Sequence, residues 1–510
     1  VEILRSDFLM YFDAIRKSLA SIQTELTSAK SIDEIDCIDR ILCLCEAEIR
    51  YRDENLAHMQ QALDGVLELL QPALQTEPLR DFASDLAHWQ AMTWQTSESR
   101  LAAQRALLQR HIPALTQLAG AGDAGANQAL AQLLQNETAQ YTRIHALRES
   151  FFVLPNPAVG AVNDPAAATP GSVPTAAMLQ DYLRSTFPRE ADLQVVDVHN
   201  LPGGRSKETT LIGLTGTRDL PARIVMRSDI EGGLVPSRTA DEFRVLQVVE
   251  RHGGVPVPHM LCCETDKSKL GSSFLLMSAV TGRARGAYNP DVRSRLQPPL
   301  DIDREHVGKQ LAWILAQLHR IDIRELGNTH LATTINLQQQ VRETIENTYR
   351  QATIFDYPSR VHIEIAYQWL LKNLHLADDD LCLIHCDVGL HNMLIDNGNI
   401  TALLDWELAC LGSPAREIAK ILHLIDFLMP RDRFYREYLG AGGAASACEP
   451  QRLNFYAVMN YLVTNQRARY ANHLFFKGPR SNIVLANAGY DSCYRVTSLL
   501  AKTLSAVDPH

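Results

Sequence analysis

The sequence predicts an α+β protein: an all-α front section, a strand-rich segment, then a mostly helical remainder. Three observations point there. Apolar residues recur at helical spacing through the first 152 residues, short strand-like stretches cluster near 193–200, 208–216 and 222–228, and an Asn397-Gly398 turn joins two short apolar runs into a hairpin.

In order along the chain, Leu4, Phe8, Tyr11, Ile15, Leu19, Ile22 and Leu26 fall at gaps of three and four, one face of a helix. Ser31-Ile-Asp-Glu34 has the form of a capping box and predicts a helix start. A long periodic stretch from about Ile35 to Leu70 ends before Pro72. Further helices are expected around Trp89 and Trp94 and over 126–152. Residues 1–152 thus read as a helical bundle. Glu54/His58 and Asp85/His88 have helical spacing, but the paired Glu-x-x-His motif of a di-iron bundle is missing, so solvated faces are the better reading. Residues 153–175 carry five prolines among Ala, Gly and Asn and read as a linker.

A short helix near Met178–Thr186 precedes the strands. Pro202-Gly-Gly-Arg-Ser-Lys207 joins the first two of them, and a Gly-rich turn can bring backbone N–H groups against phosphate oxygens. Asp241-Glu242 opens a helix, Ser273–Gly282 is an apolar strand running into a connector, and 307–319 and 361–375 are helices. From Arg416 onward the chain is mostly helical.

A chain of 510 residues has room for two or three domains. With 46% apolar and 21% charged residues it has an ordinary globular composition. A net charge of −10 and a pI of about 5.9 argue against a broad nucleic-acid or anionic-membrane surface. No apolar run reaches the roughly 18 residues of a spanning helix. The opening Val1–Asp7 lacks the basic segment and apolar core of a signal peptide. Ten scattered cysteines form no Cys-x-x-Cys knuckle, and a reduced, cytoplasmic setting is expected. Cys386 reads as a small packing residue.

The chemistry is concentrated in 385–406. Asp387 and Asn392 are five apart in a loop, a hairpin follows, and Asp405 ends its return strand. Phosphoryl transfer needs an acceptor for the hydroxyl proton and Mg²⁺ across the phosphates. Asp387 fits the first task. Asn392 and Asp405 offer the hard oxygen ligands of the second. His385 suits the role of holding the loop backbone. A chance hairpin carrying three surface polar residues is the rival reading, and the combined spacing disfavours it.

This His-x-Asp-x-x-x-x-Asn, hairpin, Asp pattern resembles the protein-kinase-like superfamily, and Asp405-Trp-Glu407 is similar to its aminoglycoside phosphotransferase and choline kinase branch. The resemblance covers about 176–500. It implies a two-lobed protein-kinase-like fold, a β-rich lobe over 176–280 and a helical lobe over 281–510, preceded by the bundle. Arg227, in Ile224-Val-Met-Arg227, matches the phosphate-holding Lys of the kinase strand, and Glu242 is its implied partner. Gly203, Gly204, Arg205, Ser206 and Lys207 are the implied phosphate turn, and Ser278, Ala279 and Val280 the implied hinge to the nucleotide base.

Gly233-Leu-Val-Pro-Ser237, Val255-Pro-Val-Pro258 and Asp405–Gly412 are similar to the kinase domain fused to acyl-CoA dehydrogenases. Such relatives usually have Gly at Cys386 and Asp at Ser413 and Glu417. The resemblance implies an ATP- and Mg²⁺-dependent O-phosphotransferase acting on a small-molecule hydroxyl, with no nucleic-acid or membrane partner. A hydroxyacyl-CoA or another apolar or anionic alcohol is the expected substrate, and the aromatic and basic stretch Asn454–Tyr470 leans the same way. An aminoglycoside or macrolide kinase and a non-catalytic nucleotide-binding scaffold are the alternatives. Self-association as a homo-oligomer through the bundle stays open.

Overall fold

The computed structural model describes residues 19, 29–150, 174–201, 207–229, 239–284, 302–327, 329, 331, 336–354, 360–377, 380–477, 489 and 492–507. The first expected helix, apart from Leu19, the linker over 153–173, the turn residues 203–206 and the stretch 233–237 lie outside them.

The front section is helical: α1 (Ala29–Leu70), α2 (Arg80–Ala91), α3 (Ser97–Gly120) and α4 (Ala124–Ser150). α1 is already helical at Ala29 and Ser31–Glu34 lies within it, so the helix start expected at Ser31 is not found there. It stops at Leu70, where Pro72 diverts the chain into a 3₁₀ turn over Gln71–Gln75. A capping box is formed at α3. There the Thr96 hydroxyl accepts from the Ser99 N–H, and the Ser99 hydroxyl accepts from the Thr96 N–H.

Helix α5 (Ala176–Thr186) leads into β1 (Gln194–Leu201), β2 (Lys207–Thr215) and β3 (Arg223–Asp229), followed by α6 (Thr239–His252), β4 (Met260–Glu264) and β5 (Phe274–Ser278). These strands form one antiparallel sheet in the order β1-β2-β3-β5-β4. The period-two alternation of β5 splits its side chains between two cores. Phe274 and Leu276 join Leu179, Tyr182 and Leu183 of α5, while Leu275 and Met277 join Val245, Leu246 and Val249 of α6.

The helical lobe contains α7 (Arg304–His319), α8 (Leu337–Ala352), α9 (Val361–Lys372), β6 (Cys382–Ile384), the hairpin β7 (Met393–Asp396) and β8 (Asn399–Leu403), and β9 (Cys410–Gly412). It closes with α10 (Pro414–Lys420), α11 (Leu422–Leu428), α12 (Arg431–Gly440), α13 (Pro450–Lys477) and α14 (Ser492–Ala506). Asn397 and Gly398 both have positive φ (48° and 80°), as a two-residue hairpin turn requires. The lobes are stitched near the hairpin. Arg283 and Ile395 exchange backbone hydrogen bonds at 3.0 and 3.2 Å, and the Leu403 N–H donates to Pro256 at 2.8 Å.

The front helices are not a separate body. α3 packs on α9 and α4 on α14, and one buried core runs from Leu63–Leu134 of the bundle into the helical lobe. The residues between them gave no hint of this, because amphipathic spacing says which face of a helix is buried and not against what. No described helix is long and apolar enough to cross a membrane.

Candidate active site

The loop after β6 is built around His385, which is fully buried. Its Nδ1 accepts from the Asp387 N–H at 3.1 Å, and its Nε2–H donates to the Leu404 carbonyl at 2.9 Å. The ring thus ties the loop start to the end of β8. Trp406 packs edge-on against it at 4.7 Å. Burial lowers the imidazole to about 4, against the pull of Asp387. A neutral ring suits an acceptor at Nδ1 and a donor at Nε2.

Asn392 closes the loop. Its Nδ2 donates to both the Asp387 carbonyl and Asp387 Oδ2, each at 2.9 Å. Its carbonyl accepts from the Leu404 N–H at 2.8 Å, which brings the residue before Asp405 alongside. With Nδ2 engaged on Asp387, Oδ1 is the amide atom left for a ligand. Asp405 itself is in the left-handed region (φ 68°) at the foot of a short 3₁₀ turn. The hairpin thus holds Asn392 against Asp387 and sets Asp405 one residue past the Leu404–Asn392 backbone bond.

Asp387 is one-third exposed, with His391 Nε2 at 3.6 Å and Lys420 Nζ at 3.8 Å. Burial works to raise its carboxyl, but His391, Lys420 and His385 outweigh it and hold it well below the usual carboxylate range. It is a carboxylate at any pH of interest.

The strand-rich lobe reaches this cluster through Arg227. Its Nη1 donates to Glu242 Oε1 at 3.1 Å and its Nη2 to Asp405 Oδ1 at 2.9 Å. One guanidinium links β3, α6 and Asp405, two residues past the end of β8. Burial works against its charge, and Glu242 and Asp405 more than restore it. Lys207, the first residue of β2, turns its ammonium inward onto the same Glu242, with Thr239 Oγ1 at 3.5 Å and Asp229 Oδ1 at 3.8 Å. Its side chain thus supports the Arg227–Glu242 pair. At the end of β5, the Ser278 N–H donates to the His259 carbonyl and the Ala279 N–H to that of Arg223, which leaves the Val280 N–H outside the described backbone bonds.

Three residues around the loop escaped sequence reasoning as contributors. Glu417 is buried and accepts the N–H groups of His385 and Cys386. Burial pushes its carboxyl up to about 8 against those donors. Lys420, one turn on, donates to the Cys386 carbonyl. Cys410 Sγ lies 3.5 Å from Cys386 Sγ. A spacing of some 25–35 residues across a strand and a helix carries no periodic signal, so only Glu417 stood out, as a departure from relatives.

Other readings resolve plainly. Glu54 pairs with Arg143, and Asp85 accepts from His111 and Arg110. No group of three His, Cys, Asp or Glu gathers as a metal site among the described residues. The stretch Asn454–Tyr470 does not supply the expected pocket. Phe455 and Tyr456 are fully buried in the core, and Arg469, also buried, donates to Asn465 at 2.9 Å. Those aromatics face the lobe interior because α13 is packed by α8, α10 and α14 along its length.

Residues 197–455, just over half of the chain, match the family described as the phosphotransferase enzyme family. Acyl-CoA dehydrogenase family member 11 of Gallus gallus is 30% identical over 199 residues, 38% of this chain and 24% of that protein. Acyl-CoA dehydrogenase family member 10 of Mus musculus is 28% identical over 221 residues, 42% of this chain and 19% of that protein. The chain thus spans about a quarter or less of the length of these relatives. Hygromycin-B 4-O-kinase of Escherichia coli is 49% identical over 39 residues, 8% of this chain and 11% of that protein. Among solved structures, an aminoglycoside phosphotransferase from Ralstonia eutropha matches at 18% identity with a TM-score of 0.49, covering 64% of this chain and 98% of the other. With the two-lobed kinase-like fold and its preceding helices, the match over 197–455 makes this chain a member of the phosphotransferase enzyme family.

Proposed function

We propose that the chain transfers the terminal phosphoryl group of ATP to the hydroxyl of a small-molecule alcohol, with residues 176–510 as the catalytic unit split near 280. The observation that carries this reading is a loop in which Asn392 bonds Asp387, with Asp405 beyond its hairpin bonded by Arg227 of the strand-rich lobe. A cleft between lobes is where a nucleotide and an acceptor meet in kinase-like enzymes.

Asp387 accepts the hydroxyl proton. Its lowered proton affinity makes it a weak base, suited to orienting the hydroxyl and taking the proton late, as a loose transition state allows. Arg227, held by Glu242, contacts phosphate oxygens, and the N–H groups of 203–207 complete the phosphate cradle. The Val280 N–H and the neighbouring carbonyls are the hinge contacts to the base. Asn392 and Asp405 fit Mg²⁺: an amide oxygen and a carboxylate would suit a hard ion that keeps waters and phosphates as its other ligands. Bound there, the ion supplies charge neutralisation along the phosphates. Asp405 Oδ1 is shared with Arg227, so Oδ2 is the oxygen presented to the ion.

The acceptor proposed first is a hydroxyacyl-CoA, on the similarity to part of two acyl-CoA dehydrogenase family members. The short 49% match to hygromycin-B 4-O-kinase supports an aminoglycoside acceptor as the second reading. Purified protein with Mg-ATP would be offered hydroxyacyl-CoAs, phenols and aminoglycosides, with products read by mass. Phosphorylation of a hydroxyacyl-CoA supports the first reading and of an aminoglycoside the second. No phosphorylated product, together with no nucleotide binding, overturns both.

A further inference from the structure

We infer that Cys386 and Cys410 are a site of reversible oxidation, closing a disulfide that ties the loop carrying Asp387 to the strand that follows Asp405. The two Sγ atoms are 3.5 Å apart. A bonded pair stands at about 2.05 Å, so the sulfurs need approach by only about 1.5 Å. The fold delivers them to each other. β6 and β9 pair antiparallel with Ile384 opposite Cys410, and Cys386, two residues beyond the end of β6, packs in one cluster with Ile384 and Cys410. Cys386 is further oriented by its backbone. Its φ is +63°, Glu417 holds its N–H, and Lys420 holds its carbonyl. The third thiol of the cluster is committed elsewhere, since Cys382 Sγ donates to the Gly412 carbonyl at 3.4 Å.

The surroundings assign the roles. The Cys386 thiol and the Arg416 guanidinium, whose Nη1 is 3.8 Å away, together outweigh burial and hold Cys410 down to about 7. Cys410 is therefore the thiolate and Cys386 the resolving thiol. The oxidant is a hydroperoxide. Cys410 Sγ attacks one peroxide oxygen, the O–O bond breaks, and the departing oxygen leaves as hydroxide and takes up a proton. Cys386 Sγ then attacks the resulting sulfenic sulfur, its S–O bond breaks, and water departs with the Cys386 proton. Two thiols lose two electrons and two protons, and hydrogen peroxide becomes two waters. A thiol reductant reverses the change.

Because Cys386 directly precedes Asp387, drawing its sulfur towards β9 shifts the carboxylate. This consequence, unlike the bond, rests on reading Asp387 as the proton acceptor. The test treats the full-length protein with hydrogen peroxide, then maps disulfides by digestion and mass spectrometry and follows amide exchange over 385–392 and Mg-dependent ATP hydrolysis. The expected result is a Cys386–Cys410 cross-linked peptide and slower exchange in the loop. Hydrolysis is expected to fall about tenfold or more, as misplacement near 1 Å produces. All three effects should be reversed by dithiothreitol and absent in Cys410→Ser and in Cys386→Ser. Separate sulfinic acids, unreacted thiols, or a bond to Cys382 instead would overturn the site. The mapped bond with unchanged hydrolysis would leave the site standing and overturn the reading of Asp387.

Discussion

Glu242→Gln tests the link between the lobes most directly. The carboxylate stands between two cations, Lys207 and Arg227, with side chains 4% and 13% exposed, and is itself 3% exposed. The amide keeps the shape of the side chain, so no cavity opens and the loss is electrostatic. Removing one partner of a buried ion pair costs about 3–5 kcal/mol. Here each cation retains a second carboxylate, Arg227 on Asp405 at 2.9 Å and Lys207 on Asp229 at 3.8 Å. Asp405 is about one-third exposed, so that remaining pair is partly screened. A loss of about 2–4 kcal/mol follows, localised to β2, β3 and α6. Native-state hydrogen exchange reads it, because those amides should open about 30- to 700-fold more readily at about 1.4 kcal/mol per decade. Amides of the distant bundle helix α2 should be unchanged and serve as the internal control. A change below about fivefold in β2 and β3 would show that the pair is not holding the lobe.

Three further outcomes are expected. Asp387→Asn should lower phosphoryl transfer by about 10²–10⁴-fold and leave Mg-ATP affinity within a few-fold, whereas Asp405→Ala should weaken Mg-ATP binding itself; kinetics and calorimetry on the two variants separate the roles. His385 is held neutral by burial, with its folded value of about 4 below the ordinary 6.5. The unfolded chain binds the proton first as pH falls, so stability from this group is full above about 6.5 and is lost as pH falls to about 4. His385→Gln should flatten that part of a thermal-midpoint-against-pH curve. Deleting residues 1–150 bares the apolar faces of α9 and α14, so the remainder should aggregate or elute as large species on gel filtration, while the intact chain does not.

What could be read from the chain and what could not divide along a physical line. Local devices were legible. The Asn397-Gly398 turn, the stop before Pro72 and the strand-like stretches of β1–β3 each act within a few residues, and each stands as expected. The meeting of Asp387 and Asn392 was legible for the same reason, since they are five apart in one loop. Arg227 and Glu242 needed the family pattern as well, because nothing in a strand residue and a helix residue fifteen apart says that they meet. Contacts made only by tertiary packing stayed invisible. Lys207 was expected at a phosphate turn, yet its stem is buried because β2 places it opposite Asp229, above the start of α6. The periodicity of Asn454–Tyr470 marked one face correctly as special. It could not say that α8, α10 and α14 would pack on the helix, so Phe455 and Tyr456 are core while Tyr470 is exposed. The same blindness hid the docking of α3 and α4. An amphipathic helix announces that it needs a partner, and the partner, three hundred residues away, is settled by which other faces remain uncovered. Substrate choice depends on that same layer of packing. This is why the reaction can be argued from 385–406 alone and the acceptor has to be found by offering the protein alcohols.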